Sequence, residues 1–290
     1  MKRFCIISNT GKDTDGSVTA MVCNRLKSNG FECEDITKYD NLKEEESYID
    51  KSKLSKDFDC AVVLGGDGTI IRSARELSKL SMPILGINIG TLGYLAEVEY
   101  NEIEEAIGCL IRGDYRIEER MMLEGSIYSG GEYIGSDIAL NDVVVSRNGY
   151  SRVVSTNVYV NNELVDKYMG DGIMISTPTG STGYNLSAGG PIVRPNTSVM
   201  IITPICSHAM SNRSIVVSDD DEIAIEVIES KKTTKEEVVV TFDGRSGVKL
   251  GQNDKVVVKK ACESTKLVVI GERKYFDVLS AKLGNVGTGR

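Results

Sequence analysis

The 290-residue chain is long enough for one large domain or two ordinary ones, and its 41% hydrophobic and 26% charged residues are usual for a soluble globular protein. A net charge of −8 argues against a nucleic-acid partner, because nucleic-acid phosphates need basic patches. No apolar run is long enough to cross a membrane, and the start of the chain lacks the apolar core and cleavage site of a leader, so a cytoplasmic, membrane-free protein is expected.

Residues 3–8 read as a first strand, followed by a polar loop with Gly11 and Lys12 that lacks Walker A spacing. Residues 17–26 carry helical periodicity and end near Gly30; residues 31–36 suggest a second strand. The charged stretch 43–57 mixes both signs and reads as a solvated face or loop. A buried strand over 61–64 then runs into Gly65-Gly66-Asp67-Gly68-Thr69, and Ile70, Ile71, Ala74 and Leu77 follow at helical spacing. A strand that turns through glycines into a helix aims free N–H groups at one spot, which suits a phosphate. Another strand, 83–89, leads to a second glycine loop, Gly90-Thr91-Leu92-Gly93-Tyr94, and Ile103, Ala106, Ile107, Leu110 and Ile111 share one helical face. Such alternation implies a parallel, doubly wound sheet whose ligands bind beyond the carboxyl ends of the strands, where both glycine loops fall.

Around Arg116 the helical periodicity gives way to short strand signals: 122–128 before a Gly130-Gly131 turn, 142–146, 153–160 before Asn161-Asn162, 173–176, 199–203, 215–217, 222–228, 238–242, 255–259 and 266–270. These predict a sandwich-like second domain. Residues 275–283 read as a helical tail that packs back on the first domain. The expected organisation is an α/β Rossmann-like domain over 1–115 with about 271–290, and an all-β sandwich-like domain over 116–270.

Asp67 is out of place beside phosphate-binding amides: two unit charges about 4 Å apart interact by roughly 4 kcal/mol at an effective dielectric near 20. It takes a proton, acts through a metal ion, or only caps the helix and shapes the turn; its place at the binding edge of the sheet favours the functional readings. The stretch 176–184 offers hydroxyls, glycines and Tyr184, which suit either a base-and-ribose site or a polar surface loop, with the surface loop slightly preferred on residue types alone. Asn141-Asp142 fits turn chemistry or a bidentate hydrogen-bonding pair for a ribose or base, and Asp243-Gly244-Arg245 reads most simply as a hairpin turn. Seven scattered cysteines without a C-x-x-C pair suggest free thiols in a reducing cytosol. His208 is the single histidine, which excludes a multi-histidine metal site and reads as a structural residue near a turn.

Together these segments resemble the NAD kinase family. The resemblance rests on Gly65 to Thr69, Asn141-Asp142, Gly170-Asp171-Gly172, Ser176 to Tyr184, Ser187-Ala188-Gly189-Gly190-Pro191 and Thr203 to His208, in matching order across most of the chain. It implies transfer of a phosphoryl group from ATP or polyphosphate to the 2′-hydroxyl of the adenosine ribose of NAD, giving NADP. A divalent cation would travel with the donor, and no dedicated protein metal ligands are expected. Homodimers or homotetramers are also implied. By resemblance Asp67 is the proton acceptor, Gly68 and Arg72 lie near phosphate, and Asn141 and Asp142 hold NAD. Asp171 bonds a hydroxyl or amide, and Thr182, Gly183, Tyr184, Asn185, Leu186 and Ser187 line the nucleoside, with Arg152 and Arg245 as further contacts. Gly183 replaces a usual alanine, Ser207 a proline, and Arg245 a glutamine. Two alternatives share some of these features: a diacylglycerol- or sphingosine-type lipid kinase, which has the Asp67 loop, and a non-catalytic NAD-sensing module.

Overall fold

The structure, a computed structural model, describes residues 1–39, 47–90, 93–96, 98–149, 153–208, 213–228, 238–245, 247–271 and 275–284. Arg152, Thr91, Leu92 and residues 43–46 of the charged stretch lie outside the described residues. The chain divides into two compact units, Met1–Glu119 with Thr265–Arg290, and Arg120–Ser264.

The first unit begins β1 (Arg3–Ser8), α1 (Ser17–Ser28), β2 (Glu32–Asp35), β3 (Cys60–Gly65), α2 (Asp67–Ser78), β4 (Ile84–Asn88), β5 (Val98–Glu99) and α3 (Ile103–Arg112). The strands pair in parallel in the order β2-β1-β3-β4-β5. Every residue of β3 and β4 is buried, as expected for central strands covered on both faces. Alternate side chains serve opposite faces. Phe4, Ile6, Val62, Leu64, Leu85 and Ile87 pack with Val22 and Leu26 of α1 and with Ile103, Ala106, Ile107 and Leu110 of α3. Gly86 leaves room for the Ile70 side chain of α2. Ile111, expected on the buried face of α3, is 41% exposed because it falls one step beyond the stripe Ile103–Ile107–Leu110.

The second unit takes β6 (Tyr115–Ser129) from near its start, then β7 (Glu132–Ala139), β8 (Asp142–Arg147), β9 (Val154–Val160), β10 (Glu163–Gly170) and β11 (Gly172–Ser176). The short α4 (Tyr184–Ser187) precedes β12 (Val199–Ile205), β13 (Ile215–Ser218), β14 (Ile223–Val227), β15 (Val238–Phe242), β16 (Val248–Leu250) and β17 (Lys255–Ile270), whose residues from Thr265 onward belong to the first unit. One antiparallel sheet runs β13-β12-β11-β8-β15-β16; another run pairs β10-β9-β14-β17. Their inner faces meet in one core that includes Val143, Val145, Val158, Ile173, Ile175, Ile202, Ile225, Val240 and Val258. This is the expected sandwich. β17 is one strand of 16 residues where two strands are expected, because the polar stretch between its ends continues extended. β7, β10 and β16 are not foreseen in the sequence. β10 has mostly exposed residues and pairs on one side with β9, so a polar edge strand lacks the apolar signal.

After β17 the chain closes with α5 (Tyr275–Gly284), which belongs to the first unit. The Lys282 ammonium lies 4.3 Å from the centre of the Tyr94 ring, so the tail packs on the second glycine loop.

Candidate active site

In the first unit β1 has β2 on one side and β3 on the other, so the chain connections diverge between β1 and β3. A crevice opens at such a switch point beyond the carboxyl ends of the two strands. The loops after β1 and β3 therefore carry the candidate phosphate chemistry. β3 ends at Gly65 and α2 starts at Asp67. The Asp67 carboxylate does not cap its own helix. It accepts the Tyr94 N–H on Oδ2 at 2.6 Å and the Leu95 N–H on Oδ1 at 3.0 Å. The second glycine loop thus fixes the acid of the first. Gly93 is the contact point: a Cβ built there would overlap the Asp67 carboxylate. Gly68 is exposed, with no atom of the described residues outside its own helix within 4 Å of an added Cβ, so its side of the loop has room for a ligand. Arg72 stands on α2 with its guanidinium 5.6 Å from the Tyr48 ring centre and Nη1 3.4 Å from the Tyr48 hydroxyl.

Lys12 joins this arrangement from the loop after β1. Its ammonium lies where side chains would otherwise stand on two glycines: 2.5 Å from a Cβ built on Gly90 and 3.2 Å from one on Gly66. The loop beneath it is fixed. The Lys12 and Asp13 N–H groups both donate to the Asn9 carbonyl at 2.9 Å, and Asn9 Nδ2 donates to Thr69 Oγ1 at 3.1 Å. Buried Asp13 accepts the N–H groups of Val18 and Thr19 at 3.1 and 2.9 Å. Among the described residues the Lys12 ammonium forms no hydrogen bond or ion pair. A cation seated on both glycine loops offsets the charge that Asp67 brings to a phosphate site.

In the second unit Asn141 and Asp142 open β8. The Asp243 carboxylate, at the β15–β16 hairpin, accepts three successive N–H groups there: Leu140 at 2.8 Å, Asn141 at 2.7 Å and Asp142 at 3.1 Å. Burial, with the Asp243 charge adding, pushes the Asp142 carboxyl up to about 7. Asn141 Oδ1 is shielded from solvent and, among the described residues, has no hydrogen-bond partner. Such an orphan acceptor costs about 1–3 kcal/mol, which a ligand donor would recover.

The stretch 176–184 is not a surface loop. Ser176, Thr177, Thr179, Gly180 and Ser181 are buried, and the hydroxyls of Ser176, Thr177 and Ser181 are satisfied inside the fold. Thr177 Oγ1 donates to the Leu140 carbonyl at 2.6 Å, the Thr177 N–H donates to the Asn141 carbonyl at 2.8 Å, and Ser181 Oγ donates to the Val193 carbonyl at 3.0 Å. Gly180 presses on the Asn141 carbonyl, so close that a Cβ would overlap it. The block and the Asn-Asp pair are therefore one construction. A Cβ on Gly183 would lie 3.5 Å from Asn141 Nδ2. Tyr184 is 48% exposed, and burial, with Cys206, Asp142 and Asp171 adding, pushes its phenol up.

Asp171 is gripped by Arg147, Nε to Oδ1 at 2.8 Å and Nη2 to Oδ2 at 3.1 Å. Asn185 is fully buried, its amide donating to the Ser181 and Pro191 carbonyls and accepting from Thr203 Oγ1, so it holds the block together from within. Thr182, Gly183 and Leu186 are half-buried and Ser187 is exposed. Arg245 is half-buried after the hairpin turn, its N–H donating to the Phe242 carbonyl at 3.1 Å. His208 is exposed and its N–H donates to the Met169 carbonyl at 2.8 Å. Among the described residues no group of three or more His, Cys, Asp or Glu side chains could hold a metal ion.

Residues 5–115 match the sequence profile of the ATP-NAD kinase N-terminal domain, and residues 140–270 that of the ATP-NAD kinase C-terminal domain. The chain belongs to the NAD kinase family. It is 46% identical over 287 residues to the NAD kinase of Lachnoclostridium phytofermentans, covering 98% of this chain and 100% of that one. It is 41% identical to the NAD kinase of a Thermoanaerobacter species, covering 98% and 99%. Among solved structures, an Archaeoglobus fulgidus NAD kinase in complex with ATP superposes with a TM-score of 0.74 at 26% identity, covering 98% of this chain and 100% of that one. Yeast NADH kinase complexed with NADH gives a TM-score of 0.83 at 20% identity, covering 100% and 89%, and shares the fold.

Lys12, Gly93, Arg147 and Asp243 are the functional candidates that sequence reasoning does not single out. For Gly93 the signal was present in the second glycine loop. For the other three it lies in strand order and pairing.

Proposed function

We propose that this protein phosphorylates NAD to NADP, moving a phosphoryl group from ATP or polyphosphate to the 2′-hydroxyl of the adenosine ribose. The observation that carries the reading is the Asp67 carboxylate, freed from capping and presented by two N–H groups of the second glycine loop. The reaction assigned to it is general-base catalysis. The ribose hydroxyl gives its proton to Asp67 while its oxygen bonds to the terminal phosphorus. The bond between that phosphorus and the bridging oxygen breaks, and ADP or a shortened polyphosphate leaves. Asp67 then returns its proton to solvent. The divalent cation is delivered with the donor phosphates as part of the substrate.

The reading gives phosphate handling to the first unit and dinucleotide recognition to the second. Gly68 lets phosphate approach the α2 N-terminus, and Lys12 supplies the positive charge. Asn141, Asp142, Asp171 and Tyr184 supply hydrogen bonds for ribose and amide groups. The complex of the Archaeoglobus enzyme with ATP supports ATP as donor. A cytosolic location and homodimeric or homotetrameric assembly belong to the same proposal. All seven thiols are free, which supports the first.

Lys12→Gln is expected to raise KM for the phosphoryl donor about tenfold or more, the usual worth of a charge-assisted hydrogen bond to phosphate, with KM for NAD unchanged. Steady-state kinetics with each substrate varied in turn check this. Production of NADP by the purified protein tests the reading as a whole.

A further inference from the structure

A hairpin turn needs no carboxylate clamp, yet Asp243 forms one. Its backbone sits in the left-handed region at φ 50°, a conformation that a non-glycine residue adopts at some cost and that gathers at functional positions. The following Gly244 is also left-handed at φ 68°. This turn aims the Asp243 carboxylate at three consecutive N–H groups, those of Leu140, Asn141 and Asp142. In return the Asp243 N–H donates to the Asp142 carbonyl at 3.0 Å. β8 and β15 are already paired through Val143 and Phe242, so the extra bonds are not needed to join the strands. They fix the two residues just before that pairing begins.

We propose that Asp243 is a positioning residue for the dinucleotide, setting the Asn141 amide and the Asp142 carboxyl in the geometry that accepts hydrogen bonds from NAD. This rests on the function proposed above. Two groups follow from the clamp. Asn141 presents a buried acceptor that has no partner among the described residues. Asp142 is 5% exposed and lies beside a second carboxylate. The charged and titratable groups facing Asp142 are Asp243 from the β15 hairpin and the Tyr184 phenol from α4; its β11 partner across the sheet is the neutral Ser176. Because burial and then Asp243 raise its carboxyl to about 7, Asp142 holds a proton through the mildly acidic range and gives it up above it. A hydroxyl or amide donor on NAD bonds the ionised form best. NAD affinity therefore increases as pH rises through neutrality, with a proton released on binding.

The test is NAD affinity by titration calorimetry from pH 6 to 8.5, for the natural protein, Asp243→Asn and Asp243→Glu, alongside KM for NAD and for ATP. Asp243→Asn removes the charge and part of the clamp. It is expected to weaken NAD binding about tenfold near pH 8, the worth of a lost hydrogen bond to a charged group, and to move the pH midpoint of binding downward. Asp243→Glu keeps the charge but displaces it, so the midpoint stays while affinity falls. KM for ATP is unchanged in both. Thermal melting confirms that each variant is folded, and a variant that is not folded is replaced by Asp243→Ser. A purely structural role would alter stability without moving the midpoint. Unchanged NAD affinity and midpoint in folded Asp243→Asn, with NADP still formed by the natural protein, overturn this inference alone. Absence of both NAD binding and NADP formation in the natural protein overturns the proposed function and this inference with it.

Discussion

Asp67→Ala is expected to lower the turnover of NADP formation by about 10²–10⁴-fold, the usual contribution of a general base, while NAD still binds. Recognition groups for NAD are assigned to the second unit, whereas Asp67 stands at the start of α2 in the first. Asp67→Asn should be equally inactive. An amide keeps the size of the side chain but takes no proton, and because its NH2 group only donates, one of the Tyr94 and Leu95 N–H groups that hold the two carboxylate oxygens loses its acceptor. Turnover at saturating NAD and ATP, with the NAD dissociation constant measured separately, separates loss of chemistry from loss of binding. Full turnover by the alanine variant would remove Asp67 from the role of proton acceptor.

Gly93→Ala should come close to the Asp67→Ala defect although it adds one methyl to a loop. The nearest conflict is with the base itself: the new methyl would overlap the Asp67 carboxylate. Either the carboxylate or the loop must move, and a displacement of about 1 Å at a reacting group can cost on the order of 10²-fold in rate. The two residues act as a unit, so their effects should not add. The double variant Asp67→Ala, Gly93→Ala is expected to be no slower than Asp67→Ala alone. A multiplicative loss in the double variant would show that Gly93 matters for some other reason.

The chemistry of the first unit was largely legible in the sequence because it is local. The apolar run of β3, the glycines and the 3.6-residue repeat of α2 lie within 20 residues, and together they dictate a strand, a turn and a helix. What Asp67 does there was not legible. Its place at the binding edge favours a functional role, but its N–H partners, Tyr94 and Leu95, are 27 and 28 residues away, so the contacts that free it from capping leave no trace in local spacing. Lys12 was hidden for a related reason. Its loop becomes significant only once β1 and β3 are neighbours, and neighbour order is a property of topology.

The stretch 176–184 misleads in the opposite direction. Hydroxyls suggest solvent, but Thr177 and Ser181 bond to backbone groups of Leu140 and Val193, and the block goes inside. Asp243 likewise looks like turn chemistry, which it is, and its three backbone acceptor bonds to residues about 100 positions earlier leave no trace in spacing. The merged β17 and the polar edge strand β10 show the limit of hydrophobic alternation. Pairing keeps a polar stretch extended where its own residues give no period-2 signal.

The most direct measurement is product formation by the purified protein supplied with NAD, ATP and Mg²⁺, with polyphosphate as an alternative donor and diacylglycerol as an alternative acceptor. The expected product is NADP phosphorylated at the 2′-position, formed at a rate that collapses in Asp67→Ala. Phosphorylated lipid with no NADP would contradict the proposed function.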